Sequence, residues 1–305
     1  MQGVTLLAMI NSTFIPLGSH CDSAGSRTAD AEASQSEIYI PIVLIHGWGC
    51  DDNIWQSLMP FLNKYADIIT LDIRYSYKNV DACCEAIVKH LPVACILCGW
   101  SLGGMLATRL AGLYPLKIKG LITLATNLKF VANKHWPHAM APDVFGEFLE
   151  AFVLEPKKTL LRFALLQVKD DADSKKQLAY LKRHSISDET LLTGLNYLSA
   201  IDNTKILTAD VVCPALLVFG EKDTLVPLTA ANKIMQLVSE HQEVVIISGR
   251  GHVLPYVDDL ERVGFDVAGA DTKNLETKKN NALLLTLQNF LENLSFSLHQ
   301  NLINQ

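Results

Sequence analysis

The chain has 305 residues, of which 49% are hydrophobic and 19% are charged. This balance is typical of a folded globular protein and excludes an intrinsically disordered chain. The formal net charge is −6 and no long run of Lys or Arg occurs. Phosphate binding needs a concentrated cationic surface, so we expect no nucleic-acid partner.

No apolar segment reaches the roughly 18 residues that a membrane span needs. The first residues, MQGVTLL, lack the basic flank of a secretory signal. The seven cysteines are odd in number and scattered, which favours reduced thiols over a disulfide framework. We therefore expect a cytoplasmic protein without a membrane span, acting as a monomer.

Residues 1–37 are predicted to form a poorly defined arm, because much of this segment is rich in small and polar residues. Apolar, β-branched runs then predict strands at 38–45, 68–71, 93–98 and 118–124. Apolar residues at helical spacing predict helices between them, at 54–62, 83–91 and 102–113. Alternating strands and helices predict an α/β class with a mostly parallel sheet.

Strand signals stop after residue 126 and resume at 215–219 and 243–247. The intervening segment predicts helices at 144–154, 159–168, 175–184 and 189–198. We therefore expect a helical cap at 127–200, inserted into a core made of 38–126 and 201–305. Residues 258–281 are polar and predict a surface excursion before a last helix at 282–299.

The segment GWSLG at residues 99–103 follows a predicted strand and precedes a predicted helix. This G-x-S-x-G pattern is typical of a nucleophile elbow, in which a strained turn exposes the serine hydroxyl. The pattern occurs by chance in roughly one chain in ten at average Gly and Ser usage, so its context carries the prediction. Ser101 is the candidate nucleophile.

A serine hydroxyl needs a histidine base, which a carboxylate orients. Among nine histidines, His252 lies in a glycine-bearing loop just after the last predicted strand. It is therefore expected at the same sheet edge as Ser101. Asp223 follows the preceding predicted strand and is favoured as the carboxylate, with Glu221 as the nearest alternative.

The transition state of acyl transfer also needs two donors for an oxyanion. The main-chain N–H of Leu102, directly after the candidate nucleophile, is the first candidate. The second lies in the loop HGWG at residues 46–49, where Trp48 is expected to point its N–H into the site. His46 precedes this turn and is expected to be structural.

With these residues in place, the chain resembles the α/β-hydrolase superfamily from about residue 38 to residue 256. The resemblance implies a mostly parallel sheet flanked by helices, with the inserted cap above it. No dinucleotide-binding G-x-G-x-x-G pattern follows a strand, and no metal-ligand cluster occurs in the sequence. We therefore expect no cofactor and no metal.

Within the superfamily, the pairing of HGWG at 46–49 with GWSLGG at 99–104 looks like the pimeloyl-[acyl-carrier-protein] methyl ester esterases of biotin synthesis. The segment RFALLQ at 162–167 is similar to part of that family's cap. The resemblance implies hydrolysis of a methyl ester on a carrier-bound pimeloyl chain. It also implies a Ser-His-Asp triad with the ester carbonyl between Trp48 and Leu102.

The resemblance further implies a set of residues that contact the acyl chain and its carrier protein. Arg162 would face the carrier, and the chain would contact Trp48, Ser101, Leu102, Phe163, Ala164, Leu165, Leu166, Gln167 and His252. Lysines and arginines in the cap could attract an acidic carrier. Asp170, Asp171 and Asp173 are interleaved among them, so an ordinary solvated face is the alternative.

Ser101, Asp223 and His252 would serve a general short-chain carboxylesterase, a thioesterase or a carbon–carbon bond hydrolase equally well. These activities remain alternatives to the biotin assignment. An alternative of another class is a ligand-binding protein that keeps the hydrolase fold without turning over. A burst of product from a chromogenic ester would separate an enzyme from such a binder.

Overall fold

A computed structural model describes residues 10–15, 40–74, 77–171, 173–181, 186–258 and 275–303. Seven strands form one sheet in the order β1-β3-β2-β4-β5-β6-β7. The strands are β1 (Ile10–Ile15), β2 (Ile42–Ile45), β3 (Ile68–Ile73), β4 (Cys95–Trp100), β5 (Ile118–Leu124), β6 (Ala215–Gly220) and β7 (Gln242–Ile247). Every neighbouring pair is parallel except β1 with β3. The prediction of a mostly parallel α/β sheet is confirmed.

Strand β1 is a feature that the sequence did not predict, since Ile10–Ile15 falls inside the expected arm. It pairs antiparallel with all of β3, from Ile10 opposite Ile73 to Ile15 opposite Ile68. Ser12, Thr13 and Phe14 on this strand are exposed, and β1 becomes a strand by pairing at the sheet edge. The rest of the arm, and most of the expected excursion at 258–281, lie outside the described residues.

Ten α-helices lie within the described ranges. They are α1 (Met59–Leu62), α2 (Val80–His90), α3 (Leu102–Leu113), α4 (Pro142–Leu154), α5 (Pro156–Gln167), α6 (Ser174–Leu181), α7 (Asp188–Ala200), α8 (Ile206–Ala209), α9 (Leu228–Met235) and α10 (Leu275–Ile303). The single helix predicted at 54–62 is divided into a 3₁₀ helix (Asp52–Trp55) and α1. None of the helices in the described part of the chain is long and apolar enough to cross a membrane.

The central strands β2, β4 and β6 are buried along their whole length. Helices therefore cover both faces of the sheet, as expected for apolar runs without alternation. Because the strands are parallel, their carboxyl ends meet at one edge. The loops after β2, β4, β6 and β7, which carry Trp48, Ser101, Asp223 and His252, leave the sheet at that edge.

We retain the division into a core and a cap at 127–200 as a proposal. Helices α4, α5, α6 and α7 occupy that segment. Lys129 at its start and Asp202 just after its end form an antiparallel bridge, and their side chains form an ion pair of 3.2 Å between Nζ and Oδ2. This pairing supports an insertion whose two connections to the core run side by side.

Candidate active site

Ser101 occupies a sharp turn between β4 and α3, with φ 53° and ψ −120°. A positive φ is uncommon for a residue with a β-carbon and costs of order 1–3 kcal/mol. The turn is secured on both sides: Ser101 N–H donates to the carbonyl of Leu124 at 3.0 Å, and its carbonyl accepts from Met105 N–H at 3.1 Å. The surrounding strand and helix therefore maintain the strained serine.

Glycines allow this turn to close on itself. A Cβ at Gly99 would collide with the carbonyl of Gly103, and one at Gly103 would collide with the carbonyl oxygen of Ile45 at the end of β2. A Cβ at Gly47 would lie 3.1 Å from the Cβ of Ser101. The loop after β2 therefore packs directly against the serine turn, as the glycine spacing predicts.

The side chains of Ser101, His252 and Asp223 form a continuous hydrogen-bonded chain. His252 Nε2 lies 3.0 Å from Ser101 Oγ, and His252 Nδ1 lies 2.7 Å from Asp223 Oδ2. A carboxylate only accepts, so Nδ1 carries the proton and Nε2 is left as the acceptor for the serine hydroxyl. His252 and Asp223 are buried, whereas Ser101 is partly exposed.

The second carboxylate oxygen of Asp223 is held by the main chain. Its Oδ1 accepts from Leu225 N–H at 2.8 Å and from Val226 N–H at 2.9 Å. These bonds orient the carboxylate toward His252. Glu221, the alternative carboxylate, is exposed and accepts instead from the Ser248 hydroxyl and Gly249 N–H, at 2.8 and 2.7 Å.

We expected Trp48 to point an N–H into the site. Its indole N–H does not do so. It donates to the carbonyl oxygen of Leu191 in α7 at 2.7 Å. A buried indole N–H needs an acceptor, and the cap supplies one. The main-chain N–H is therefore the remaining donor that Trp48 can offer. Leu102 begins α3, where main-chain N–H groups of the first turn have no partner within the helix.

Aromatic rings of the cap surround the Trp48 side chain. Phe163 of α5 lies edge-on to it with ring centroids 4.8 Å apart, and Phe148 and Phe152 of α4 do so at 5.9 Å. Phe148 and Phe163 also contact each other at 5.7 Å. The cap is thus packed onto the loop that follows β2.

The residues of α5 that we expected to contact the acyl chain lie on two different faces of the helix. Phe163, Ala164 and Gln167 are buried, whereas Leu165 and Leu166 are 48% and 41% exposed. Residues three and four apart share a face of a helix, so five consecutive positions cannot line one wall. Arg162, the expected carrier contact, is exposed.

The end of α5 contacts the loops that carry Asp223 and His252. The carbonyl of Leu166 accepts from the Thr224 hydroxyl at 3.1 Å, and the carbonyl of Gln167 accepts from His252 N–H at 3.3 Å. The sequence pattern predicted the helical cap, and the resemblance implied its position above the sheet. These contacts supply a geometric reason for it.

Two neighbours of the site were given no role by the sequence. Trp100 donates its indole N–H to the carbonyl of His252 at 2.8 Å. Asp171, one of the acidic residues expected on a solvated face, is buried and accepts from Gly251 N–H at 2.7 Å. The sequence carries no signal for this role, because Asp171 and Gly251 lie 80 positions apart in the chain.

His46 contributes to the loop after β2 through its ring. Its Nε2 accepts from Ile73 N–H at 2.9 Å, which leaves Nδ1 as a donor to the Gly47 carbonyl at 2.9 Å. These bonds fit the expected structural role. In the described part of the chain, no group of three or more His, Cys, Asp or Glu side chains is arranged to hold a metal ion.

Comparison with known proteins identifies similar chains. The family described as alpha/beta hydrolase fold matches residues 40–259. A biotin biosynthesis bifunctional protein BioHC of Cellvibrio japonicus is 34% identical over 222 residues, which are 70% of this chain and 44% of that protein. A pimeloyl-[acyl-carrier protein] methyl ester esterase of Vibrio campbellii is 29% identical over 216 residues, 67% of this chain and 84% of that protein.

The chain spans less than half the length of the bifunctional relatives, between 41% and 45%. Among solved structures, an esterase of Exiguobacterium antarcticum superimposes with a TM-score of 0.69 at 15% identity, covering 93% of this chain and 96% of that one. At that identity the likeness shows a shared fold.

Proposed function

This chain belongs to the α/β-hydrolase family, and on that premise we propose that it is a serine carboxylesterase with Ser101 as nucleophile. The observation that carries the proposal is the hydrogen-bonded chain from Ser101 Oγ through His252 to Asp223, with links of 3.0 and 2.7 Å. Nucleophile, base and orienting carboxylate within such reach are the requirement for covalent acyl transfer.

In the first half of the reaction, Ser101 Oγ attacks the ester carbonyl while its proton passes to His252 Nε2. Asp223 stabilises the resulting imidazolium through Nδ1–H. The main-chain N–H groups of Leu102 and Trp48 donate to the oxyanion of the tetrahedral intermediate. When that intermediate collapses, the C–O bond to the alcohol breaks and His252 gives its proton to the leaving oxygen.

In the second half, water attacks the acyl-enzyme. His252 takes a proton from the water, the tetrahedral intermediate forms again, and its collapse releases the acid with the proton returned to Ser101 Oγ. No other reactant is needed, since the net reaction adds water across the ester. The strained turn at Ser101 keeps the hydroxyl at the helix N-terminus throughout both halves.

We propose that the substrate is the methyl ester of a pimeloyl chain on acyl carrier protein, cleaved in the cytoplasm by a monomer while the thioester to the carrier survives. The names of the relatives from Cellvibrio and Vibrio support this choice. Buried Phe163 and Ala164 offer apolar contacts for an acyl chain at the base of the cap. Exposed Arg162 and Lys169 offer positive charge to an acidic carrier.

The test of this substrate is rescue of a biotin-requiring bacterium that lacks its pimeloyl ester esterase. We expect the wild-type chain to restore growth without biotin and S101A to fail. Purified protein should show a burst and steady release of p-nitrophenol from p-nitrophenyl butyrate. A wild type that cleaves this ester but does not rescue would replace the biotin assignment with a general esterase. Absence of both burst and turnover would instead favour a ligand-binding protein.

A further inference from the structure

Asp171 and Arg250 form a buried ion pair beside the base. Their side chains are 1% and 2% exposed, and Arg250 Nε lies 3.6 Å from Asp171 Oδ2. Asp171 follows α5 in the cap, in a turn where Asp170 has φ 61°. Arg250 follows β7 in the core. The pair therefore joins the cap to the loop that carries His252.

Asp171 holds the residue that directly precedes His252. Its Oδ2 accepts from Gly251 N–H at 2.7 Å, while its Oδ1 accepts from Asp173 N–H within the cap at 3.0 Å. A bond between a carboxylate and a main-chain N–H is charge-assisted and stronger than a neutral one. Asp171, in the cap, thereby fixes the position of the main chain at Gly251, directly before His252.

Arg250 holds the residues that follow His252. Its Nη2 donates to the carbonyl oxygens of Val253 and Tyr256, at 3.2 and 2.6 Å. Burial lowers the pKa of Arg250, and the neighbouring carboxylates of Asp171 and Asp173 oppose that change. Asp171 thus supplies the counter-charge that a buried guanidinium requires.

His252 itself is bonded through its main chain to two other elements. Its N–H donates to the carbonyl of Gln167, and its carbonyl accepts from Trp100 Nε1. The loop on both sides of the imidazole is thus tied to the cap and to β4. Small displacements matter here, because His252 Nε2 must stay within hydrogen-bond reach of Ser101 Oγ, which lies 3.0 Å away.

We propose that Asp171 is a positioning residue of the reaction, which aligns His252 with Ser101 by accepting the Gly251 N–H, with Arg250 as its charge partner. This inference rests on the proposed role of His252 as the base. Buried ion pairs add little net stability compared with apolar side chains of similar volume. Alignment of His252 with Ser101 explains why an ion pair, and not apolar side chains, occupies this buried position.

The experiment compares two double variants, D171N/R250M and D171A/R250M. Both lack the buried cation and its bonds. Asn retains a carbonyl oxygen that can accept from Gly251 N–H, whereas Ala offers no acceptor to Gly251 N–H or to Asp173 N–H. The substrate is p-nitrophenyl butyrate. Values of kcat are normalised to the folded fraction measured by circular dichroism. A loss of activity through partial unfolding is then not mistaken for misalignment of His252.

We expect kcat of D171A/R250M to be about 10- to 100-fold below that of D171N/R250M, with KM equal within about twofold. Equal kcat values per folded molecule would overturn the inference, as would a difference confined to KM. If neither double variant folds, the pair is structural and the positioning role is rejected. The S101A variant separates this from the proposed function: undiminished turnover in S101A would reject the serine mechanism itself.

Discussion

Trp100 donates its indole N–H to the main-chain carbonyl of His252 at 2.8 Å, across 151 intervening positions of the chain. The two rings also lie 5.5 Å apart between centroids. Trp100 is the last residue of the strand that leads into Ser101. The Trp100 side chain therefore ties the strand that leads into Ser101 directly to the loop that carries His252.

Replacing Trp100 with Phe should lower both stability and turnover. The buried carbonyl of His252 would lose its indole donor, at a cost of about 1–3 kcal/mol, and the loop would lose one of its restraints. Urea unfolding and kcat for p-nitrophenyl butyrate measure the two effects.

Trp136 offers the matched control for this variant, since its indole N–H donates to Asn127 Oδ1 at 3.0 Å at the start of the cap. We expect W136F to lose similar stability and to keep kcat within about threefold, because its indole N–H bonds to Asn127 and not to Ser101, His252 or Asp223. An equal loss of kcat in both variants would contradict a specific link between Trp100 and His252.

Replacing Ser101 with Ala should reduce ester hydrolysis by at least about 1,000-fold. Ala removes only the hydroxyl, and the turn depends on main-chain bonds and on the neighbouring glycines, so the melting temperature should stay close to that of the wild type. Stopped-flow kinetics with p-nitrophenyl butyrate should show no burst. A residual burst equal to that of the wild type would assign the nucleophile elsewhere.

Asp223→Asn and Glu221→Gln form a pair that distinguishes the two carboxylates. Asn at 223 can donate to Nδ1 and so favours the wrong imidazole tautomer, which should lower kcat by about 10⁴-fold. Glu221 is exposed and accepts from Ser248 and Gly249, so E221Q should stay within about threefold of wild type. The opposite ranking would assign the role to Glu221.

Gly103→Ala should prevent the serine turn from forming, because its Cβ would collide with the carbonyl oxygen of Ile45. Gly146 in α4 is the matched control, since a Cβ there meets no atom within 4 Å. Ala favours the helix, so G146A should raise the free energy of unfolding by roughly 0.5–1 kcal/mol. Thermal melts of both variants, with activity of any folded G103A, test the contrast.

Trp48→Phe should weaken the attachment of the cap. The variant keeps an aromatic ring among Phe148, Phe152 and Phe163 but removes the N–H that donates to Leu191. We expect a loss of about 1 kcal/mol in the free energy of unfolding, measured in urea, and faster cleavage within the cap by a protease under native conditions. Unchanged cleavage would mean that packing of the rings alone secures the cap.

The family, the parallel sheet and the ordering of its strands along the chain follow from signals that lie close together in the sequence. An apolar run, a glycine-flanked serine and a stretch of apolar residues at helical spacing each span fewer than about fifteen residues. The backbone preferences and the burial that these patterns indicate are therefore local. Asp223 and His252 were predicted because parallel strands end at one edge of a sheet. The folded structure adds the distances, which are 3.0 Å from Ser101 Oγ to His252 Nε2 and 2.7 Å from His252 Nδ1 to Asp223 Oδ2.

The partners of Trp48, Trp100, Asp171 and Arg250 were decided by tertiary structure. Each buried polar group needs an acceptor or counter-charge, but its residue type does not say which distant segment provides one. Likewise, the sequence marked Phe163 to Gln167 as one run, and only packing of α5 against the core decided which of its faces is buried. Strand β1 became a strand through pairing with β3. Local physics determined what chemistry this chain carries, and long-range contacts determined how its parts are aligned.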